Sequence, residues 1–334
     1  MKSEKRHNNI PWLRLLGVVL LIVLLLRLDL SATLTILFQA EGKYILLAFA
    51  LNLILVSIKT GRWFLLLKAQ DISYSFPKAY LAYFSSVFIG LLTPGRLGEL
   101  VRALHVNQDT NTSMVQSFPS VLVDRLFDLF ALLIVGGLAL ESLTSGAEKY
   151  WAGLLAFAGL LAMVTALVLS EKITAILNNA MQNRGRLIRF LGPLGNILME
   201  LRQGFLCQNL TSISLALFLT VIAYFTFFYQ CYLLSLSLGM TITYQQVSYA
   251  TALGSLVTLL PISISGVGTR DAALIGFLAT LGVSAEAAFG YSLLIFLVFY
   301  MGGGLLGGLA WLIKPVPFSL LKKKPTAKNH HAGA

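Results

Sequence analysis

Apolar residues in this chain come in long uninterrupted runs rather than with the one-sided period of a surface helix. Runs extend from Ile10 to Leu28, Tyr44 to Ile58 and on through Trp63, Phe118 to Leu140, Tyr150 to Leu169, Thr211 to Leu238 and Ala287 to Ile313. A helix needs about 17–25 apolar residues to cross a bilayer, so the pattern predicts an all-α, polytopic integral membrane protein with six spanning helices. Two further apolar runs are broken. One passes through Leu92-Thr93-Pro94-Gly95-Arg96-Leu97-Gly98-Glu99, the other through Leu260-Pro261-Ile262-Ser263-Ile264-Ser265-Gly266-Val267-Gly268-Thr269-Arg270-Asp271. The returning arms, from Gly95 to near Val106 and from Thr269 to near Gly282, fall short of the roughly 20 residues a crossing needs. Both read as re-entrant helical hairpins, one in each half of the chain (about 44–140 and 211–313), which together predict an inverted repeat of the kind found in secondary transporters.

Composition agrees. The chain is 57% hydrophobic and 12% charged, with a mean hydropathy of +0.80, which excludes an ordinary soluble domain. The net charge of +11 would suggest nucleic acid in a soluble protein; in a membrane protein it is first a statement about topology, because short cytoplasmic loops collect Lys and Arg. With both hairpins re-entrant, four basic groups fall on one side: the N-terminus (Lys2, Lys5, Arg6, Arg14), a 59–78 loop (Lys59, Arg62, Lys68, Lys78), a 171–207 connector and the tail. The other side keeps Arg27, Lys43 and Lys149. The expectation is a bacterial-type inner membrane location, N- and C-termini cytoplasmic, the first helix retained rather than cleaved as a signal peptide. Residues 1–320 form a single transmembrane domain, and 321–334 a disordered basic tail.

Little in the chain suggests soluble-enzyme chemistry. Cys207 and Cys231 form no disulfide framework or metal spacing, and no HExxH, Walker loop or Gly-x-Ser-x-Gly element occurs; no cofactor or metal is expected. Trp12, Trp63, Trp151 and Trp311 fall near predicted helix ends, as aromatic belts do. Gly302, Gly303, Gly304, Gly307 and Gly308 predict close packing of the last helix against a hairpin, and secondarily a homodimer face.

The candidate chemistry lies in the few charges at membrane depth, each costing at least ~2.5–3.5 kcal/mol to insert unless paired, hydrated or used. Arg96, Glu99 and Arg102 are spaced three apart beyond the first break, and Asp124, Arg125 and Asp128 follow on the next helix. Arg270 and Asp271 open the second returning arm. Pro94, Gly95, Gly98, Pro261, Ser263, Ser265, Gly266 and Gly268 mark the breaks. Half-helix N-termini expose unpaired N–H groups that suit an anion such as a lipid phosphate. The bland alternative is a set of structural ion pairs, with Ser263, Ser265 and Thr269 satisfying broken backbone.

The run Arg62-Trp63 with Leu65-Leu66-Leu67, the two break motifs and Asp124-Arg125 resemble the lysylphosphatidylglycerol synthase transmembrane, or flippase-like, family over nearly the whole chain. The resemblance implies a lipid translocase, with the family motifs falling on Arg96, Gly98, Glu99, Asp124, Arg125, Gly266, Gly268, Arg270 and Asp271. Only 21 residues follow Ile313, so no aminoacyl-transferase domain is expected and lysylphosphatidylglycerol synthesis is not. The expected function is flippase-like movement of a phospholipid or glycolipid head group between leaflets. Anionic or aminoacylated lipids are partners, and nucleic acid is not. The rival reading is an accessory subunit organising a lipid- or glycan-modifying enzyme; a membrane-embedded enzyme stands third.

Overall fold

The computed structural model describes residues 13–93, 95–110, 112, 114–143, 202, 206–260, 263 and 265–316. These residues are helical and include no strand. Pro94, Pro261, the apolar run 150–169, nearly all of the 171–207 connector and the tail lie outside the described residues.

The first run does not continue as one straight helix. Helix α1 (Leu13–Arg27) ends where Asp29 takes an N-cap position, its carboxylate accepting from the Ser31 and Ala32 backbone amides at 2.9 and 3.0 Å. A carboxylate there satisfies the orphan donors of a new helix, and α2 (Leu30–Phe38) departs from α1 at 85°.

Two blocks of matching dimensions follow. In the first, α3 (Gly42–Ala69, 28 residues) leads to α4 (Phe76–Leu91, 16 residues), a break, a 3₁₀ turn (Leu97–Val101), α5 (Arg102–Thr110) and α6 (Met114–Ser142, 29 residues). In the second, α7 (Leu210–Ser237, 28 residues) leads to α8 (Tyr244–Leu259, 16 residues), a break, α9 (Thr269–Ala279) and α10 (Ala285–Ile313, 29 residues). Among the described residues three helices, α3, α7 and α10, are long and apolar enough to cross a membrane, and α1 with α2 would add a bent fourth. A 16-residue arm reaches about 24 Å at 1.5 Å per residue, so α4 and α8 fall short of a ~30 Å hydrocarbon core. Large apolar side chains cover the outside, among them Phe38, Leu210, Phe218, Phe225 and Leu312.

The blocks pack reciprocally. Helix α3 lies along α7, the hairpin arm α4 packs on the C-terminal part of α10, and the other hairpin arm α8 packs on α6. Small residues permit the α4–α10 approach, as the glycine spacing predicts: a Cβ at Gly307 would run into the Phe84 carbonyl and the Phe88 side chain, and one at Gly304 would press on Leu91. At the centre, Gln230 donates to the Ala48 carbonyl (2.8 Å) and Asn52 donates to the Val298 carbonyl (3.0 Å). Val298 belongs to a π-helical stretch, Phe296–Gly302, within α10. Such stretches free carbonyls from the helical ladder and occur often at functional sites.

Two local expectations change, and a third residue is placed. Lys59 and Arg62 belong to the interior of α3, which runs on to Ala69, and not to a cytoplasmic 59–78 loop. Carboxylates on α6 neutralise them, so the helix need not stop. Trp63 is fully buried, its indole N–H donating to Ser120 Oγ at 3.0 Å, and is no belt residue. His105 is likewise buried, packed edge-on to Trp311.

Candidate functional site

Both hairpins turn through left-handed backbone. At the first tip Gly95 and Arg96 have φ of 60° and 57°; at the second, Ser265, Gly266 and Gly268 have φ of 55°, 76° and 81°. Arg96 and Ser265 hold this conformation although their Cβ atoms disfavour it. Within the first hairpin the arms nearly touch, since a Cβ at Gly98 would meet the Ile89 carbonyl. Thr93 Oγ1 accepts the Gly98 amide at 2.7 Å. At the second tip Ser263 and Thr269 hydroxyls share a hydrogen bond of 2.7 Å, and Thr269 Oγ1 donates to the Gly266 carbonyl. Ser265 Oγ donates across to the Leu91 carbonyl, joining the two tips. These hydroxyls therefore serve broken backbone, the use usual at such breaks.

The charges separate into two layers. In the inner layer Arg62 gives Nε to Asp124 Oδ1 (2.7 Å), Nη2 to Asp128 Oδ1 (2.8 Å) and Nη1 to Thr220 Oγ1 (2.9 Å). Arg102 takes the other Asp124 oxygen at 2.9 Å and lies against the Trp63 and Tyr83 rings. The side chains of Arg62, Arg102 and Asp124 have no exposure at all. Pairing with carboxylates is what makes such burial tolerable. On the second hairpin, Asp271 accepts from its own helix start, the Gly268 amide, at 2.8 Å, and from Arg270 Nη2 at 2.6 Å and Ser292 Oγ at 2.5 Å. The N-terminus of α9 is thus capped by its own carboxylate. An anion there would have to compete with Asp271, contrary to the expectation of open N–H groups.

The second layer faces a cavity of about 420 Å³ between the hairpins, within the range of small-ligand sites. Lys59, Arg96, Glu99, Arg125, Asp128 and Arg270 line it. Glu99 is paired with Arg125 and stands 3.7 Å from Arg96; Lys59 reaches Asp128 at 3.1 Å. Tyr300, from the π-helical stretch, lies between the hairpins, with the Arg96 and Arg270 guanidinium carbons 5.4 and 4.9 Å from its ring centre.

Of the residues expected at a head-group site, Arg96, Glu99, Arg125 and Arg270 line one cavity, while Arg102, Asp124 and Asp271 are buried outside its lining. Sequence reasoning missed Lys59 and Tyr300 and considered Asp128 without assigning it to the site. A signal for Lys59 existed: Lys59 and Arg62 stand three apart on one helix, and Asp124 and Asp128 four apart on another, a complementary ladder. Among the described residues no cluster of metal-ligating type occurs.

Long apolar helices, paired broken hairpins and charges gathered round an internal cavity define a membrane protein whose polar chemistry is turned inward. The chain belongs to the family described as the lysylphosphatidylglycerol synthase TM region, whose model matches residues 12–307. It is similar to a UPF0104 membrane protein of Pyrococcus horikoshii, 26% identical over 323 residues that cover 88% of this chain and 94% of that protein. A UPF0104 membrane protein of Methanocaldococcus jannaschii is 23% identical over 328 residues, covering 90% and 94%. No solved structure matches.

Proposed function

We propose that this protein is a flippase-like translocase of the cell membrane that carries the polar head of a phospholipid or glycolipid between leaflets, acting as a transporter rather than an enzyme. The single observation that carries the reading is the 420 Å³ cavity between the hairpins, with six charged side chains on its wall inside a molecule whose outside is apolar. Ionisable groups at membrane depth are costly unless paired, hydrated or used, and a wall that gathers six of them around a hollow suits a polar passenger. Six crossings, re-entrant hairpins, an inverted repeat and cytoplasmic termini belong to the same proposal. Its support is the matched 28-, 16- and 29-residue helices of the two blocks and their reciprocal packing. In this reading rocking of one block against the other exposes the cavity alternately.

The test is leaflet-resolved movement of fluorescent lipids in proteoliposomes, comparing wild type with Arg270→Ala and Glu99→Ala at matched folded fraction. Movement above protein-free vesicles, lost in the variants, is expected. A folded protein that moves no lipid would favour the accessory-subunit reading.

A further inference from the structure

The charges around the cavity do not cancel. Its wall carries four cations (Lys59, Arg96, Arg125, Arg270) against two carboxylates (Glu99, Asp128). The paired residues behind it, Arg62 and Arg102 with Asp124 and Asp271, add two of each sign and leave the surplus unchanged. Even with Lys59 deprotonated the balance stays positive. Three of the wall arginines keep spare donors: Arg96 Nε, Arg125 Nε and Arg270 Nη1 are buried atoms without a hydrogen-bond acceptor among the described residues, as is Nη2 of Arg102 behind the wall. Arg270 is 4% exposed. Two of the three guanidinium groups, one from each hairpin tip, meet at the Tyr300 ring. Planar guanidinium forks with spare N–H donors match phosphate oxygens.

Tyr300 is also shared with a second hollow, about 550 Å³, between the hairpin tips and α10. Its wall is apolar (Phe88, Leu91, Leu92, Val267, Met301, Leu305), and its two serines, 263 and 265, have their hydroxyls engaged with Thr269 and the Leu91 carbonyl. A phosphate beside Tyr300 would therefore have an apolar channel next to it.

Resting on the translocase reading, we propose that the substrate class is an anionic, phosphate-bearing lipid. Its phosphate is held by Arg96 and Arg270 at Tyr300, and one acyl chain lies in the groove between the hairpin tips. A head group whose added cation cancels or outweighs its phosphate is disfavoured, because that cation would face the surplus of arginines.

The experiment is competitive binding to the full chain in detergent, using phosphatidic acid, phosphatidylglycerol, phosphatidylethanolamine, lysylphosphatidylglycerol, glycerol 3-phosphate and inorganic phosphate as probes. The two anionic lipids are expected to bind at least about tenfold tighter than the zwitterionic and cationic ones. Arg96→Gly, at a half-buried left-handed position that glycine suits, should abolish that preference without unfolding the chain, and Arg270→Gln should do the same. Met301→Trp, which fills the groove from a half-exposed position, should weaken the diacyl lipids and leave glycerol 3-phosphate unchanged. Equal binding across charges, or a preference for the lysyl lipid, would overturn the head-group assignment. Inorganic phosphate competing as well as the lipids, or Met301→Trp without effect, would overturn the acyl groove. Charge-selective binding with no lipid movement in vesicles would sink the translocase reading alone, whereas movement of every head group at one rate would sink this assignment alone.

Discussion

The two hairpins begin from the same sequence device, Pro and Gly followed by Arg and a carboxylate, and use it differently. In the first, Glu99 turns to the cavity and pairs with Arg125 of α6, while Arg102 is tied through Asp124 to Arg62 of α3. That hairpin is held by other helices. In the second, Asp271 accepts from the Gly268 amide of its own helix start and from the adjacent Arg270, and the pair reaches one other helix, through Ser292 of α10. The difference teaches that a charge beside a break is no single signal. One arrangement ties a hairpin to other helices by charged pairs; the other finishes a helix end and leaves Arg270 on the cavity wall beside Tyr300.

Substitutions can break this contrast in graded steps. Asp124→Ala should be the most damaging, because it leaves the fully buried Arg102 without a carboxylate and takes one of two from the equally buried Arg62. A loss of about 3–5 kcal/mol, read as a collapse of folded yield or of thermal stability in detergent, is expected. Asp271→Ala removes a helix cap and the carboxylate of the buried Arg270, and should cost less, about 1–3 kcal/mol, since one arginine rather than two loses a partner and that one keeps Ser292. Equal losses from the two would erase the distinction. Ser265→Ala removes the hydroxyl that joins the tips and should lower the unfolding midpoint by the equivalent of about 1 kcal/mol. The mildest is Arg96→Gly. It relieves a left-handed residue and should leave stability unchanged or raise it by up to about 1 kcal/mol, while head-group binding falls. A destabilised Arg96→Gly would mean that Arg96 is a structural ion pair after all.

The outline was legible from residue order because its causes are local. Runs of apolar residues set α3, α7 and α10, and the short reach from Gly95 and from Thr269 set the hairpin arms. The 85° turn after Arg27 has a local cause as well, the Asp29 cap, which the reading of one apolar run from Ile10 to Leu28 passed over. What residue order did not reveal was partnership between distant helices. Lys59 and Arg62 look like loop charges until Asp124 and Asp128 are seen opposite them. Trp63 looks like a belt residue until Ser120 takes its N–H. Tyr300 is one aromatic among many in an apolar run, and only the meeting of both hairpin tips at its ring singles it out. Which of the seven expected head-group residues face the cavity and which lie behind it depends in the same way on packing, and no spacing rule encodes it.

The central claim is that the cavity between the hairpins is a passage open in turn to both sides of the membrane. Ser255 lines it, and of the two native thiols Cys207 is exposed and Cys231 buried. The direct measurement places Ser255→Cys in a Cys207→Ser background, in vesicles of known orientation, and follows its reaction with a membrane-impermeant maleimide added from each side separately. Reaction from both sides, slowed by anionic lipid, is the predicted result; reaction from one side only, whatever the lipid, would contradict the account.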